Sequence, residues 1–438
     1  MKILPFAVAA AIVVVPATAS AETVGDAIAS DMPGLMDIYR DLHSHPELSF
    51  QETRSAAIMA RAARDAGFEV TEKVGKTGIV AVMKNGEGPT VLIRADMDGL
   101  PVTEQTGLPF ASKQLGVSTA GVESGIMHAC GHDTHMTAWI ETARLMAARK
   151  DEWSGTLVMV GQPAEEIGLG AVEMLNDGLY TRFPKPDYTL AFHDTPELPS
   201  GVVGAAKGWA LANVDSVDIL VKGVGGHGAY PQATKDPIVL ASAIVMKLQT
   251  LASREIDPQD PVVVTVGSFH AGTKHNIISD HAKLELTVRS YSDETRAKLL
   301  NGIKRIVKGE AIASGISEDL MPEVTVEDPY TRSTYNSPEF TQEAIDYLQT
   351  KMGKQRAQIT PSVMGGEDFG EFRRADEDNI KSVIFWVGGS PMDKIAAAKS
   401  GGAPLPSLHS PFWAPEADKV IGAGSQALTL TALRLMAK

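Results

Sequence analysis

The chain has 438 residues, 44% of them apolar and 21% charged, an ordinary globular composition with room for two or more hydrophobic cores. Its 40 lysines and arginines against 54 acids leave a formal net charge of -14, and no basic run supplies the patch that phosphate binding needs, so a nucleic-acid partner is not expected. Beyond residue 21 no apolar run is long enough for a stable membrane span, and no internal repeat is evident.

At the amino end Lys2 precedes an apolar run from Ile3 to Val15 and then Ala19-Ser20-Ala21, the order of a secretory signal peptide. The expectation is cleavage after residue 21, a mature chain from Glu22, and export to the periplasm or the medium. A single cysteine, Cys130, can form no internal disulfide in such a compartment.

Residues 24 to 42 read as a helix that ends before Pro46, and a second amphipathic helix runs from about 52 to 66 and stops at Gly67. Strands at 78–84 and 90–95 around Asn85-Gly86-Glu87-Gly88 read as a hairpin-like pair. The second strand delivers Asp96 and Asp98, two carboxylates on one side of an extended segment that could orient metal-bound imidazoles. The alternative is a solvated turn before Gly99 and Pro101.

Met127 to His135 reads Met-His-Ala-Cys-Gly-His-Asp-Thr-His and holds three of the chain's 11 histidines around its only cysteine. Thiolate and imidazole are the donors a borderline-soft divalent ion prefers, and the glycine lets both turn to one point. Taken alone, Cys130 could be a buried small hydrophobe; the clustering favours a metal site. Asp133 is placed to cap the helix that follows.

The apolar strand 155–161 then runs into Glu165 and Glu166, where one acid could bind metal and its neighbour act on an activated water. A short strand from Tyr188 ends in His193. Alternating helices and apolar strands with polar residues at the strand ends indicate an α/β sheet. Near residue 212 the pattern changes to alternating strands (214–222, 261–269, 282–290) beside helices at 236–254 and 293–308, a small α+β unit with a half-exposed sheet. The α/β pattern returns after 324, so one domain is interrupted by another.

In order along the chain, His43-Ser44-His45-Pro46-Glu47-Leu48, Arg94 to Pro101, His128 to His132, Gln162 to Glu166, Gly225-Gly226-His227, Asn276 to Asp280, Gly366-Glu367-Asp368-Phe369 and Leu408-His409-Ser410 resemble one family. It is that of the metal-dependent amidohydrolases and carboxypeptidases, which includes hippurate hydrolases, aminoacylases and hydrolases of indole-acetyl amino acids. The resemblance implies a zinc-peptidase-like α/β catalytic domain, a mixed sheet flanked by helices, over 22–211 and 325–438. An α+β lid and dimerisation domain would occupy 212–324. By position it makes Cys130, His132, Glu166, His193 and His409 the ligands of two divalent ions, zinc first, with manganese, cobalt and nickel open. Glu165 would be the general base, His227 an oxyanion donor often lent to the partner's site, and Asn276, Arg289 and Gly366 substrate-binding residues. Asp96 and Asp98 would stand behind the ligands. The implied reaction is hydrolysis of N-acyl or N-aroyl amino acids or short peptides by a homodimer or higher homo-oligomer assembled through the inserted domain. Two departures bear on substrate preference: Gln232 follows Pro231 where many relatives have histidine, and Ser279 replaces a proline after Ile278. A two-metal hydrolase of another bond, and an exported binding protein on the same fold, are the rival readings.

Overall fold

In the computed structural model, which describes residues 22–438 except Ala120, four strands apolar on both faces lie side by side and parallel: Gly155–Gln162, Thr90–Asp96, Tyr188–Pro199 and Lys381–Ser390. The expected signal segment lies outside the described residues. Gly78–Asn85 and then Glu69–Val74 extend the sheet antiparallel on one side, and Val203–Ala205 and Ala357–Ile359 complete its eight strands on the other. Leu157 and Met159 join the core on one face, under helices Val24–His43, Thr53–Asp65, His132–Ala148, Pro338–Met352 and Ala417–Leu435. Val158 and Val160 pack on the opposite face with Phe369, Phe372 and Met174. Fully buried strands between two helical layers account for the near-continuous apolar runs. This is the expected mixed-sheet α/β class.

Several local expectations are corrected. Strands 78–85 and 90–96 are not paired as a hairpin, because Gly155–Gln162 inserts between them and bonds to both. The insertion needs Gly155: its φ is +117°, and a Cβ there would come within 2.3 Å of the Pro89 carbonyl oxygen. Asp133 does not cap its helix; Gly131, at φ +78°, occupies that position and His132 is the first helical residue. His193 lies inside its strand, not at its end, since pairing with Lys381–Ser390 continues to Pro199. The edge strand Glu69–Val74 is too exposed and charged to have shown a clear pattern.

The inserted unit is a four-stranded antiparallel sheet in the order Val263–Ala271, His281–Ser290, Asn213–Lys222, Glu323–Val326. Val217, Ile219 and Val221 point with Leu284 and Val288 into a separate core under helices Pro237–Thr250 and Asp293–Ala313. The alternation continues through Val326, which pairs with Val217, so this sheet runs slightly beyond residue 324. Where the chain crosses between the two sheets the connections are tied together. Val214 donates its N–H to the Thr331 carbonyl at 2.9 Å, and Ser333 N–H donates to Asn213 Oδ1 at 2.9 Å. No helix among the described residues is long and apolar enough to cross a membrane.

Candidate active site

The parallel strands deliver their polar ends to one place, the carboxyl edge of the sheet where α/β proteins bind ligands. Cys130 and His132 arrive at a helix amino terminus. Glu165 and Glu166 follow the strand ending at Gln162, and His193 projects from the adjoining long strand. His409 is fixed in left-handed backbone (φ 66°), with its N–H on the Ala129 carbonyl at 2.8 Å. Gly131 makes this approach possible. Its positive φ suits glycine, and a Cβ there would lie 2.3 Å from the Asp194 carboxylate.

Cys130 Sγ lies 3.4 Å from His193 Nε2 and 3.2 Å from His409 Nε2, and Glu166 Oε2 lies 3.3 Å from His409 Nε2. His132 Nε2 is 3.8 Å from Glu165 Oε2 and 3.9 Å from Glu166 Oε1. Donor atoms of Cys130, His132 and His193 fall within 4.8 Å of one another, as do those of Cys130, Glu166 and His409. The imidazoles are oriented by their other nitrogens: His132 Nδ1 donates to the Asp98 carbonyl at 2.8 Å and His193 Nδ1 to the Asp194 carbonyl at 2.7 Å. That leaves His132 Nε2 and Glu166 Oε1 buried with no hydrogen-bond partner among the described residues. Orphaned donors of this chemistry, aimed together, fit divalent cations.

The electrostatics agree. Burial pushes the Cys130 thiol up, with Glu166 adding to the rise. Burial likewise raises Glu166 to about 8 despite His132, and raises Glu165 well above the usual carboxyl range, reinforced by Glu367 and Glu166. Such a packed acid and thiol set is unfavourable without compensating positive charge, which a divalent ion provides.

The two acids of the Asp-Met-Asp segment do different work. Asp98 receives the Glu165 N–H at 3.0 Å and the Glu166 N–H at 3.1 Å, while its backbone carbonyl accepts from His132 and its carboxylate lies 3.6 Å from the same nitrogen. Asp96 accepts from His135 Nδ1 at 2.6 Å and from Arg94 at 2.6 Å. His135 Nε2 receives the Asp194 N–H at 3.0 Å, so both its nitrogens are engaged within the protein. Of the three clustered histidines, only His132 joins Cys130; His128 is buried apart, and burial lowers its pKa to about 4.

Sequence reasoning gave no role to a buried network behind the two glutamates. Arg94 forks onto Glu367 (2.8 Å) and Asp368 (3.2 Å) besides Asp96, and its Nε donates to Gln162 at 2.8 Å. The available signal was an arginine inside an otherwise apolar strand. Glu52 was also missed: its carboxylate accepts the Ala164 N–H at 2.8 Å and the Phe50 N–H at 2.9 Å, both from left-handed residues. So was His43, held between Asp133 (2.7 Å) and Glu104 (3.1 Å).

A cavity of about 430 Å³ opens over Cys130, Glu165, Glu166, His193 and His409, and Arg289, from the inserted sheet, and Gly366 also line it. Gly366 is tight: a Cβ there would lie 2.8 Å from Val214. Arg289 donates to the Met364 carbonyl at 2.6 Å and makes no ion pair among the described residues. His227 and Asn276 are elsewhere. They adjoin each other on the exposed face of the lid, where Gly228 N–H meets the Asn276 carbonyl at 2.9 Å, and neither lines the cavity in one chain.

This fold and this cluster define a metallohydrolase built on a zinc-peptidase-like scaffold. Residues 92–402 match the model of peptidase family M20/M25/M40. The chain is 36% identical over 356 residues to the N-acetylcysteine deacetylase of Bacillus subtilis, covering 81% of this chain and 88% of that one. It is 37% identical over 337 residues to the hippurate hydrolase of Campylobacter jejuni, covering 76% and 84%. Among solved structures, the Bacillus subtilis YXEP protein, described as a dinuclear metal binding peptidase from the M20 family, superposes with a TM-score of 0.73 at 31% identity, over 93% of this chain and 99% of that one. The chain therefore belongs to the M20/M25/M40 peptidase family and, like these amide-cleaving relatives, is a hydrolase acting on amide bonds.

Proposed function

We propose that the mature chain is an exported enzyme that hydrolyses the amide bond of N-acyl or N-aroyl amino acids, or short peptides, that carry a free carboxylate. The observation that carries this reading is Arg289. It faces the cavity that holds the candidate ligands, no acid among the described residues pairs with it, and burial lowers its pKa. A guanidinium fork suits a planar carboxylate, and in an acidic protein a local cation is needed to hold an anionic substrate.

Cys130, His132, Glu166, His193 and His409 would hold two divalent ions, zinc by preference, with manganese, cobalt and nickel also suited to these donors. Bound there, the ions supply Lewis-acid polarisation of the amide carbonyl and a more acidic water. Glu165, its proton affinity raised by burial and by Glu367, takes the proton of the attacking water and delivers it to the leaving nitrogen. Arg289 and Gly366 position the amine-side carboxylate. His227 and Asn276, remote from the cavity of their own chain, serve the site of a second copy, where His227 stabilises the developing oxyanion.

Comparing N-benzoylglycine with its carboxamide tests the reading. The wild type should strongly prefer the acid, and Arg289→Ala should lose most of that preference. Equal use of both by the wild type would reject the carboxylate requirement.

A further inference from the structure

We infer that Asp194 and Trp413 are positioning residues for the candidate metal centre: the buried hydrogen bond between them holds His409 where it can retain one of the two ions. The inference rests on the two-ion reading above and names what keeps one of those ions bound.

The segment 401–415 carries His409 and lies mostly at the surface. The His409 side chain is 55% exposed, whereas Trp413, four residues on and 2% exposed, is the one buried residue of the segment. Its Nε1–H donates to Asp194 Oδ2 at 3.1 Å. Setting aside contacts of the candidate ligands, this is the one side-chain hydrogen bond among the described residues that joins the segment to the rest of the chain. The indole is also seated on strand Lys381–Ser390, where a Cβ at Gly389 would lie 3.1 Å from it. His409 itself has left-handed backbone, which a residue with a Cβ keeps only where its surroundings enforce it. The bond from its N–H to Ala129 holds it on one side, and the anchored indole holds the chain on the other.

Asp194 is fully buried at the point where three ligand-bearing segments meet. It follows His193, and its carbonyl accepts the His193 Nδ1–H. Its carboxylate lies against Gly131, between Cys130 and His132, so closely that a Cβ there would come within 2.3 Å. Trp413 brings in the third segment. A buried carboxylate grips an N–H more strongly than a neutral acceptor does, which suits a residue that must hold a surface segment inward. The effect should fall on one ion. Cys130, Glu166 and His409 form one candidate set and Cys130, His132 and His193 another, and only the first contains His409. Freeing the indole therefore loosens the first set, while His193 keeps the main-chain carbonyl that orients it.

The test titrates zinc into the metal-free full chain and reads stoichiometry and affinity, with no substrate present. Trp413→Phe keeps an aromatic ring over Gly389 and removes the indole N–H. The wild type should bind two ions, and in Trp413→Phe one should weaken by about tenfold or more, the scale seen when groups that orient metal ligands are lost, while the other stays within about twofold. Asp194→Val removes the acceptor and should weaken the same ion. The double variant should be little worse than Trp413→Phe, because both substitutions break one bond. Equal weakening of both ions, the outcome of a general loss of packing, would overturn the inference, as would unchanged affinity for both or fully additive losses in the double variant. Should Asp194→Val fail to fold, Trp413→Phe alone decides between one-ion weakening and these alternatives. A wild type that binds fewer than two zinc ions overturns the two-ion reading and this inference together, whereas two ions unaffected by Trp413→Phe overturn this inference alone.

Discussion

His132 and Glu166 each keep a buried polar atom without a hydrogen-bond partner among the described residues, and that pair of orphans is the strongest residue-level sign of a bound cation. If Cys130 completes that set, its thiol should resist alkylation in the metal-loaded protein and react once chelator is added, and Cys130→Ala should lose metal by elemental analysis. Rapid alkylation of the loaded protein would count against ligation. His43 makes a separate prediction about stability. Burial alone would lower its pKa, but the bonds to Asp133 and Glu104 outweigh burial and hold it at about 10. A histidine raised above its unfolded value of about 6.5 stabilises fully below that pH, and the contribution is lost as pH rises through about 10. Thermal melting should therefore fall between pH 7 and 10 more steeply in the wild type than in His43→Gln; parallel profiles would remove the claim. Of the candidate ligands, Cys130 and His132 were legible because they are neighbours in sequence, and Glu166 and His193 because they follow apolar strands, whereas His409 came only from the family resemblance. The Arg94 network was not legible, because its partner Glu367 lies 273 residues away and only the fold brings them together.

At the scale of elements, the turn after strand Gly155–Gln162 is held by three consecutive N–H groups: Ala164 donates to Glu52, and Glu165 and Glu166 to Asp98. Ala164 is buried and left-handed (φ 50°), a conformation costly for a residue with a Cβ unless its surroundings enforce it. Glu52→Ala should lower kcat more than it changes KM, and Glu52→Gln, which keeps an acceptor oxygen, should recover much of the loss. A Glu52→Ala variant with unaltered kcat would show that the turn holds itself. The helix His132–Ala148 depends similarly on Gly131. Adding a Cβ there meets Asp194, so Gly131→Ala should destabilise by on the order of 1–3 kcal/mol and weaken metal retention, measured by melting and metal content. Most helices and strands were legible from periodicity and breakers. Sheet order was not: the turn at Asn85-Gly86 looks local, yet Gly155–Gln162 passes between its strands, a long-range pairing that no short window reveals.

For the molecule as a whole, the separate lid core and the exposed positions of His227 and Asn276 bear on assembly. Under the proposed function, a site that lacks these two residues in one chain would be completed by a C₂ arrangement, in which each lid serves its partner. Light scattering at micromolar concentration should give a dimer mass, and a chain that stays monomeric while fully active would refute the exchange. The interrupted order of the two units was visible in the switch from buried to alternating strands, whereas the place of the lid relative to the cavity needed three dimensions. In the proposed function this chain cleaves amides with Glu165 as base beside a metal cluster that does not depend on it. The most direct measurement is glycine release from N-benzoylglycine by wild type and Glu165→Gln, with metal content determined on the same samples. The variant should hold as much metal as the wild type and lose turnover by about 10²-fold or more. Near-normal turnover in Glu165→Gln, or loss of its metal, would contradict it.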